Sequence, residues 1–360
     1  MNYFKVLITI IAVLALGVVA LFMAAGQLDT EERAAPAQNP GYLVAEVEVA
    51  HREAEEARLQ AFLWYPAADP GAEPSLHAQN ALFYGFHAIE NATPAEGPLP
   101  VVLLSHGSGG NGPQLGWIAR DLAMRGFIVL SVNHPGTTSG DSDPHRTPHI
   151  WERTQDFRAA LDWLLETPPA GLAPDPARVA SAGFSLGGHT ALALGGTRVS
   201  KQAFIDYCDA FSDKIDCGWM NAAGVDFNAI DAARYEADLS DPRIIATVAV
   251  DPALPRAMTS ESLSAMSKPK LLVTLGALDE VPTAMNPGPI LASLPSAKLH
   301  ETRAAWHFSF LAECSPLGRI IIGAVEDENI CDDPILRSRG DVHEELRPVI
   351  GDFLSEVFAK

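Results

Sequence analysis

The sequence predicts an α/β fold, a mostly parallel central sheet with helices on both faces and a small cap insertion, and three observations carry that expectation. Val101-Val102-Leu103-Leu104, Ile128 to Val132, Ile244 to Val250 and Leu271 to Leu275 are apolar runs of strand length, the pattern of strands buried on both faces. Helical periodicity alternates with them over Pro113 to Gly126, where Leu115, Ile118 and Leu122 recur, and over Pro148 to Leu165, where Phe157, Ala160, Leu161 and Leu164 do. Between a strand, Arg178 to Ala182, and a further helix stands Gly183-Phe184-Ser185-Leu186-Gly187-Gly188, a serine on a turn too tight for side chains at its glycines. With 360 residues and 48% hydrophobic content, the chain can bury one large core.

At the amino end, Val6 to Ala25 is an uncharged apolar run of about 20 residues between Lys5 and Asp29, long enough to span a bilayer. Residues 1–26 are therefore expected to form a membrane anchor or signal segment, residues 27–40 a linker, and residues 41–360 a single domain. The lysine before the run predicts that the remainder is exported, periplasmic or extracytoplasmic, touching the membrane only through this segment. Four cysteines agree with an oxidising compartment, and local pairing would join Cys208 to Cys217 and Cys314 to Cys331. The balance of 25 basic against 45 acidic residues, net charge −20, excludes nucleic acid as a partner, which needs a basic face.

Alternation over Leu43 to Val49 and the strand-like Arg58 to Tyr65 predict a hairpin on the sheet edge. The Pro- and Ala-rich stretch from Pro66 to Pro98 holds Phe83, Tyr84 and Phe86, read as loop packing. The loop His134 to His145 offers Asp141, Asp143 and His145, read as turn residues rather than metal ligands, so no metal and no cofactor are expected. From about residue 196 to 241 no strand pattern appears, and this length predicts a cap or lid. Its Phe204, Phe211, Trp219, Met220 and Phe227 could line an acyl pocket or pack the insertion onto the domain. A last strand near Lys298 to Glu301 and an amphipathic helix, Val342 to Phe358, complete the pattern.

The chemistry follows from residue types at strand ends. Ser185 on its strained turn would be a nucleophile, and the helix starting at Leu186 would favour developing negative charge. His106-Gly107-Ser108-Gly109-Gly110 follows an early strand, where an oxyanion donor is expected, so the Ser108 and Leu186 N–H groups are the candidate pair. His307, after the last strand, is the candidate base, with His300 as its rival inside the strand. Asp279 and Asp251 both end strands that follow the elbow. Asp279 is preferred as the histidine's orienting acid, because it lies on a turn after a glycine, with Asp251 as the alternative.

His106 to Gly110, His134-Pro135-Gly136, Gly183 to Gly188, Asp251-Pro252 and His307-Phe308-Ser309-Phe310 together resemble the α/β-hydrolase group of predicted dienelactone hydrolases, relatives of platelet-activating-factor acetylhydrolases and of cutinase-like polyesterases. The resemblance runs from about residue 41 to the end. It implies an α/β-hydrolase fold and a serine carboxylic-ester hydrolase with Ser185 and His307 in its triad. The acetylhydrolases take their acid at the position of Asp251 and the cutinase-like enzymes at that of Asp279; dienelactone hydrolases carry a cysteine where this chain has Ser185. The expected substrate is a small-molecule ester with a short or medium acyl group. The rivals are an amidase or peptidase using the same triad and a catalytically silent binding protein. The oligomeric state is left open.

Overall fold

A computed structural model describes residues 35–52, 56–294, 296–325, 329–335 and 337–360. In chain order the strands are β1 (Gly41–Glu48), β2 (Arg58–Tyr65), β3 (Ser75–His77), β4 (Phe86–Glu90), β5 (Leu99–Ser105), β6 (Ile128–Val132), the short β7 (Thr137–Thr138) and β8 (Asp141–Ser142), β9 (Pro174–Phe184), β10 (Ile244–Val250), β11 (Lys270–Leu275) and β12 (Lys298–Thr302). Among the described residues ten of them form one sheet, ordered β12-β11-β10-β9-β5-β6-β2-β1-β4-β3. From β12 to β6 all neighbours run parallel, while β2 lies antiparallel to both β6 and β1.

The parallel half is buried on both sides because helices cover both. Successive side chains of a strand point to opposite faces. Val102 and Leu104 meet α1 (Gly116–Met124), whose Ile118 and Leu122 are buried, while Val101 and Leu103 meet α2 (Ile150–Glu166) through Phe157 and Leu161. Each such side chain, fully removed from water, contributes about 1.5–3 kcal/mol. Helix α3 (Leu186–Leu194) follows β9 and is buried throughout. The chain then forms α4 (Lys201–Ala210), α5 (Ile215–Ala222) and the one-turn α6 (Ala232–Tyr235) before β10, and these make the expected cap. Helices α7 (Ser260–Ala265), α8 (Gly288–Ser293) and α9 (Pro316–Val325) follow, and α10 (Arg339–Phe358) packs Val342, Leu346, Ile350 and Leu354 on the same face as α1.

Three expectations are corrected here. The β1–β2 hairpin forms but is interior: the Pro- and Ala-rich stretch supplies β4 and β3, which pair outward from β1 and take the edge. Phe86 of β4 packs on Tyr42 and Trp64, so it belongs to the core. Membrane anchoring, and the exported location and membrane contact derived from it, are withdrawn: among the described residues no helix is long and apolar enough to cross a membrane. The run Val6 to Ala25 on which they rested lies outside the described residues. Both local disulfides are present, Cys208–Cys217 joining α4 to α5 and Cys314–Cys331 spanning α9.

Candidate active site

Ser185 caps α3 with φ 55° and ψ −121°, a conformation an L-residue holds only when its surroundings enforce it. The enforcement comes from close backbone packing. A Cβ on Gly187 would lie 2.0 Å from the Ser105 carbonyl oxygen at the end of β5, and one on Gly183 would lie 2.1 Å from the Gly187 oxygen. Only hydrogen fits at either place, so the glycines let β9, β5 and α3 converge and push Ser185 out over the sheet. The Ser185 N–H donates to the Val250 oxygen at 3.0 Å, which ties the elbow to the end of β10.

The hydroxyl of Ser185 donates to Nε2 of His307 at 3.0 Å, and Nδ1–H of His307 donates to Oδ2 of Asp251 at 2.6 Å. His307 starts a 3-10 turn over His307–Phe310 after β12, and its ring packs on Phe184 at 4.8 Å between centroids. His307 and Asp251 are 6% and 5% exposed, so water does not compete for the bond between them. The other Asp251 oxygen accepts the Leu275 N–H at 3.4 Å. This arrangement is that of a serine hydrolase: a nucleophile, a base that can take and return its proton, and a carboxylate that fixes the base's tautomer.

The preferred acid is thereby corrected. Asp279 stands exposed on the turn beyond β11, and it is Asp251 that occupies Nδ1 of His307. The reason lies in strand order. Val250 of β10 pairs with Phe184 of β9, so the next residue, Asp251, emerges level with Ser185, whereas β11 is one strand further out. The rival His300 sits in β12, paired with Glu345 at 2.6 Å.

The Ser185 hydroxyl opens into a cavity of about 450 Å³. Phe184, Leu186, Leu254, Phe308, Leu311 and Ile330 form part of its apolar lining, and Gly107 to Gly110 lie on its floor. Of the five cap residues singled out from the sequence, Phe204, Trp219 and Met220 line the cavity. Phe227 instead packs on Phe204 and Phe211 on Tyr207. Ser108 lines the cavity too, and Leu186 is the first residue of α3, whose N–H has no partner within its own helix. Asp141 and Asp143 accept backbone N–H groups of Gly136 and His145, at 3.0 and 2.8 Å, as turn residues do.

A second Ser-His-Asp string, not foreseen from the sequence, runs underneath. Ser105 Oγ lies 3.2 Å from His134 Nε2, and His134 Nδ1 lies 2.8 Å from Asp156 Oδ2. All three are at most 1% exposed and none lines the cavity, so no substrate reaches them. Their role is electrostatic and structural. Burial raises the Asp156 carboxyl, but hydrogen bonds from Arg52, His134 and His51 outweigh it and hold the group well below the usual carboxylate range. Burial beside Arg153 pushes His134 down to about 3, so it stays neutral. Arg153, lowered by burial to about 9, remains charged and donates to the His106 carbonyl, to Ser105 Oγ at 3.1 Å, to Thr137 Oγ1 at 2.6 Å and to Thr190 Oγ1 at 3.1 Å. It thus binds the glycine-rich loop to the helix behind the nucleophile.

Comparison with known proteins agrees with this fold. A family model described as the alpha/beta hydrolase family matches residues 101–343. No curated protein matches the chain. Among solved structures, a ferulic acid esterase from Streptomyces cinnamoneus is similar at 20% identity and a TM-score of 0.59, over 91% of this chain and 92% of that one. A puromycin-hydrolyzing peptidase from Mycobacterium tuberculosis is similar at 15% identity and a TM-score of 0.51, over 91% of this chain but 41% of that one. At such identities the likeness is one of fold.

Proposed function

The chain belongs to the alpha/beta hydrolase family, and we propose that it cleaves carboxylic esters of short or medium acyl chains, with Ser185 as nucleophile, His307 as base and acid, and Asp251 as the orienting carboxylate. The observation that carries this reading is the unbroken hydrogen-bonded line from Asp251 through His307 to a serine that faces an apolar cavity. Ser185 Oγ attacks the ester carbonyl while His307 Nε2 takes its proton. The oxygen, now negative, is held by the Leu186 and Ser108 N–H groups, each such donor being worth about 3 kcal/mol in the transition state. His307 then returns the proton to the departing alkoxide, leaving an acyl group on Ser185. Water, activated by the same imidazole, releases the acid. The uncharged, largely apolar cavity suits the acyl chain of an ester. Within the family, the motif at His106 to Gly110 and an acid at Asp251 favour kinship with the predicted dienelactone hydrolases on their acetylhydrolase side.

The test is hydrolysis of a p-nitrophenyl ester by the full chain, set against a matched anilide. Ester turnover should exceed amide turnover by orders of magnitude, and Ser185→Ala should abolish both the turnover and labelling by a fluorophosphonate. Retained activity in Ser185→Ala would overturn the assignment, and equal rates on both substrates would overturn its ester preference.

A further inference from the structure

Beside the active-site cavity lies a second one, of about 250 Å³, bordered by the loop after β3 and by Asn111 and Pro113 of the turn after β5. The two cavities meet at Gln114, which lines both. They also meet at two pairs of chain neighbours: Gly110 and Leu311 line the larger cavity, Asn111 and Ala312 the smaller. A Cβ on Gly110 would lie 3.0 Å from Gln114 Oε1, so the amide rests against the loop that carries Ser108. A group that extends from the active site past Gly110 therefore reaches the smaller cavity.

The walls of the two differ in chemistry. The larger is mostly apolar, whereas the smaller has the carboxamides of Gln79, Asn80, Asn111 and Gln114 beside the rings of Phe83 and Tyr84, and no charged side chain in its lining. Backbone N–H groups fix which end of an amide is left over. Gln79 Oε1 accepts the Gly85 N–H at 2.7 Å and Asn111 Oδ1 accepts the Gln114 N–H at 3.0 Å, so each keeps an NH2 group to donate. The side-chain amide of Gln114 itself bonds nothing among the described residues. Uncharged amides beside aromatic rings suit a neutral, oxygen-rich ligand. They offer no opposite charge to an ion, and an alkyl chain would cover them without pairing them.

This wall is held in shape before any ligand arrives. The Tyr84 N–H donates to the Glu313 oxygen at 2.8 Å, the Ser315 N–H to the Leu82 oxygen at 2.9 Å and Ser315 Oγ to the Ala81 oxygen at 2.7 Å. A Cβ on Gly85 would lie 2.2 Å from the His77 oxygen, and Ala78 holds a φ of 59°, so the surroundings enforce the loop at both ends. Binding here loses little to ordering of the loop.

We propose that this cavity is the subsite for the alcohol half of the ester, and that it selects a neutral polyhydroxylated alcohol, a single sugar ring or a polyol of that size, over an alkyl alcohol. The proposal rests on the function proposed above and deepens it by naming the leaving group. Acyl and alkoxy arms diverge from the tetrahedral carbon. The acyl arm takes the apolar walls of the larger cavity, and the alkoxy arm passes Gly110 and Gln114 into the amide-lined one. Drug-sized ligands occupy cavities of about 300–1,000 Å³. The smaller cavity thus matches one ring rather than a chain of them.

The experiment holds the acyl group constant and varies the alcohol, comparing kcat/KM of the full chain on 6-O-butanoyl glucose and on hexyl butanoate. The parent should favour the glucose ester by about tenfold or more. Gln114→Leu keeps the bulk and removes the amide. Asn111→Ser keeps an oxygen for the Gln114 N–H and removes the NH2 group. Each should reduce the preference by about three- to tenfold, the effect of losing a neutral hydrogen bond. Equal rates on the two esters in the parent, or a preference for the hexyl ester, would overturn the proposal without any variant. A glucose preference that both variants retain in full, with thermal midpoints like that of the parent, would also overturn it. Failure of the underlying reading is separable, because it would appear as no turnover of either ester, or as turnover that survives Ser185→Ala.

Discussion

Asp251 meets His307 through one short bond, and in the proposed mechanism its value comes from orientation. With the carboxylate at Nδ1, the proton of the neutral ring sits on Nδ1 and the lone pair on Nε2 faces Ser185. An amide in its place can offer an N–H to the ring and so favour the opposite tautomer, which leaves no base for the serine. Asp251→Asn should therefore lower kcat by about 10⁴-fold while the thermal midpoint stays close to that of the parent. Asp279→Asn, on an exposed turn, should leave kcat within about twofold. Steady-state rates on one aryl ester decide the matter, and a large loss in the Asp279 variant would contradict the geometry. Ser185 and His307, which the structure brings into contact, were legible in the sequence as candidates because each is marked by its own neighbours, a glycine elbow and the segment after the last strand. The acid was not, because the choice depends on which strand lies beside β9, and strand adjacency is written nowhere in the local pattern. The buried string of Ser105, His134 and Asp156 escaped for the same reason, its members coming from β5, the loop after β6 and α2.

At the scale of elements, the cap lines one side of the cavity. Helix α5 contributes Trp219 and Met220 to the wall, and the disulfide between Cys208 and Cys217 fixes α5 against α4, which contributes Phe204. Trp219 is 40% exposed, so its ring borders the cavity without belonging to the core. Trp219→Ala should thus cost little stability and enlarge the acyl side of the cavity. The expected outcome is a rise in kcat/KM for an octanoyl ester relative to a butanoyl ester of about tenfold or more, since room for even one further methylene in an apolar pocket is worth about 1–3 kcal/mol. An unchanged ratio across a chain-length series would mean that Trp219 does not face the acyl group. The existence of the cap was legible, because a long stretch without strand pattern cannot continue the sheet. Its division of labour was not: Phe211 and Phe227 carry the same apolar chemistry as Phe204, and only the helix faces separate packing from lining. The edge strands β3 and β4 were missed because they are three and five residues long within a Pro- and Ala-rich stretch, too short to display an alternation.

Over the whole molecule, four of the buried histidines give folding a dependence on pH. Burial pushes His134 down to about 3 and His189 down to about 4, and holds His106 and His343 well below the ordinary range. In the unfolded chain each takes up a proton near pH 6.5. Between that pH and the folded value the unfolded state binds more protons, so stability falls as pH falls and is recovered as pH rises. His189 alone, at about 1.4 kcal/mol per pH unit, contributes on the order of 3 kcal/mol in total between its unfolded and folded pKa. Asp156, with its carboxyl held low, acts in the same direction but further down, its contribution being present above about pH 4 and lost below. An opposing effect comes from the net charge of −20, since neutralising surface carboxylates relieves self-repulsion. Ordinary carboxylates titrate near pH 4, however, so between pH 6.5 and 5 they have hardly begun, and the histidines dominate that window. Urea midpoints should therefore be level from pH 8 to 7 and drop steadily from pH 6.5 to 5. His189→Met, which cannot take up a proton, should show a shallower drop over the same interval. A midpoint that holds or rises down to pH 5 would mean that the buried rings are already charged in the folded protein, and the neutral state of these histidines would have to be abandoned.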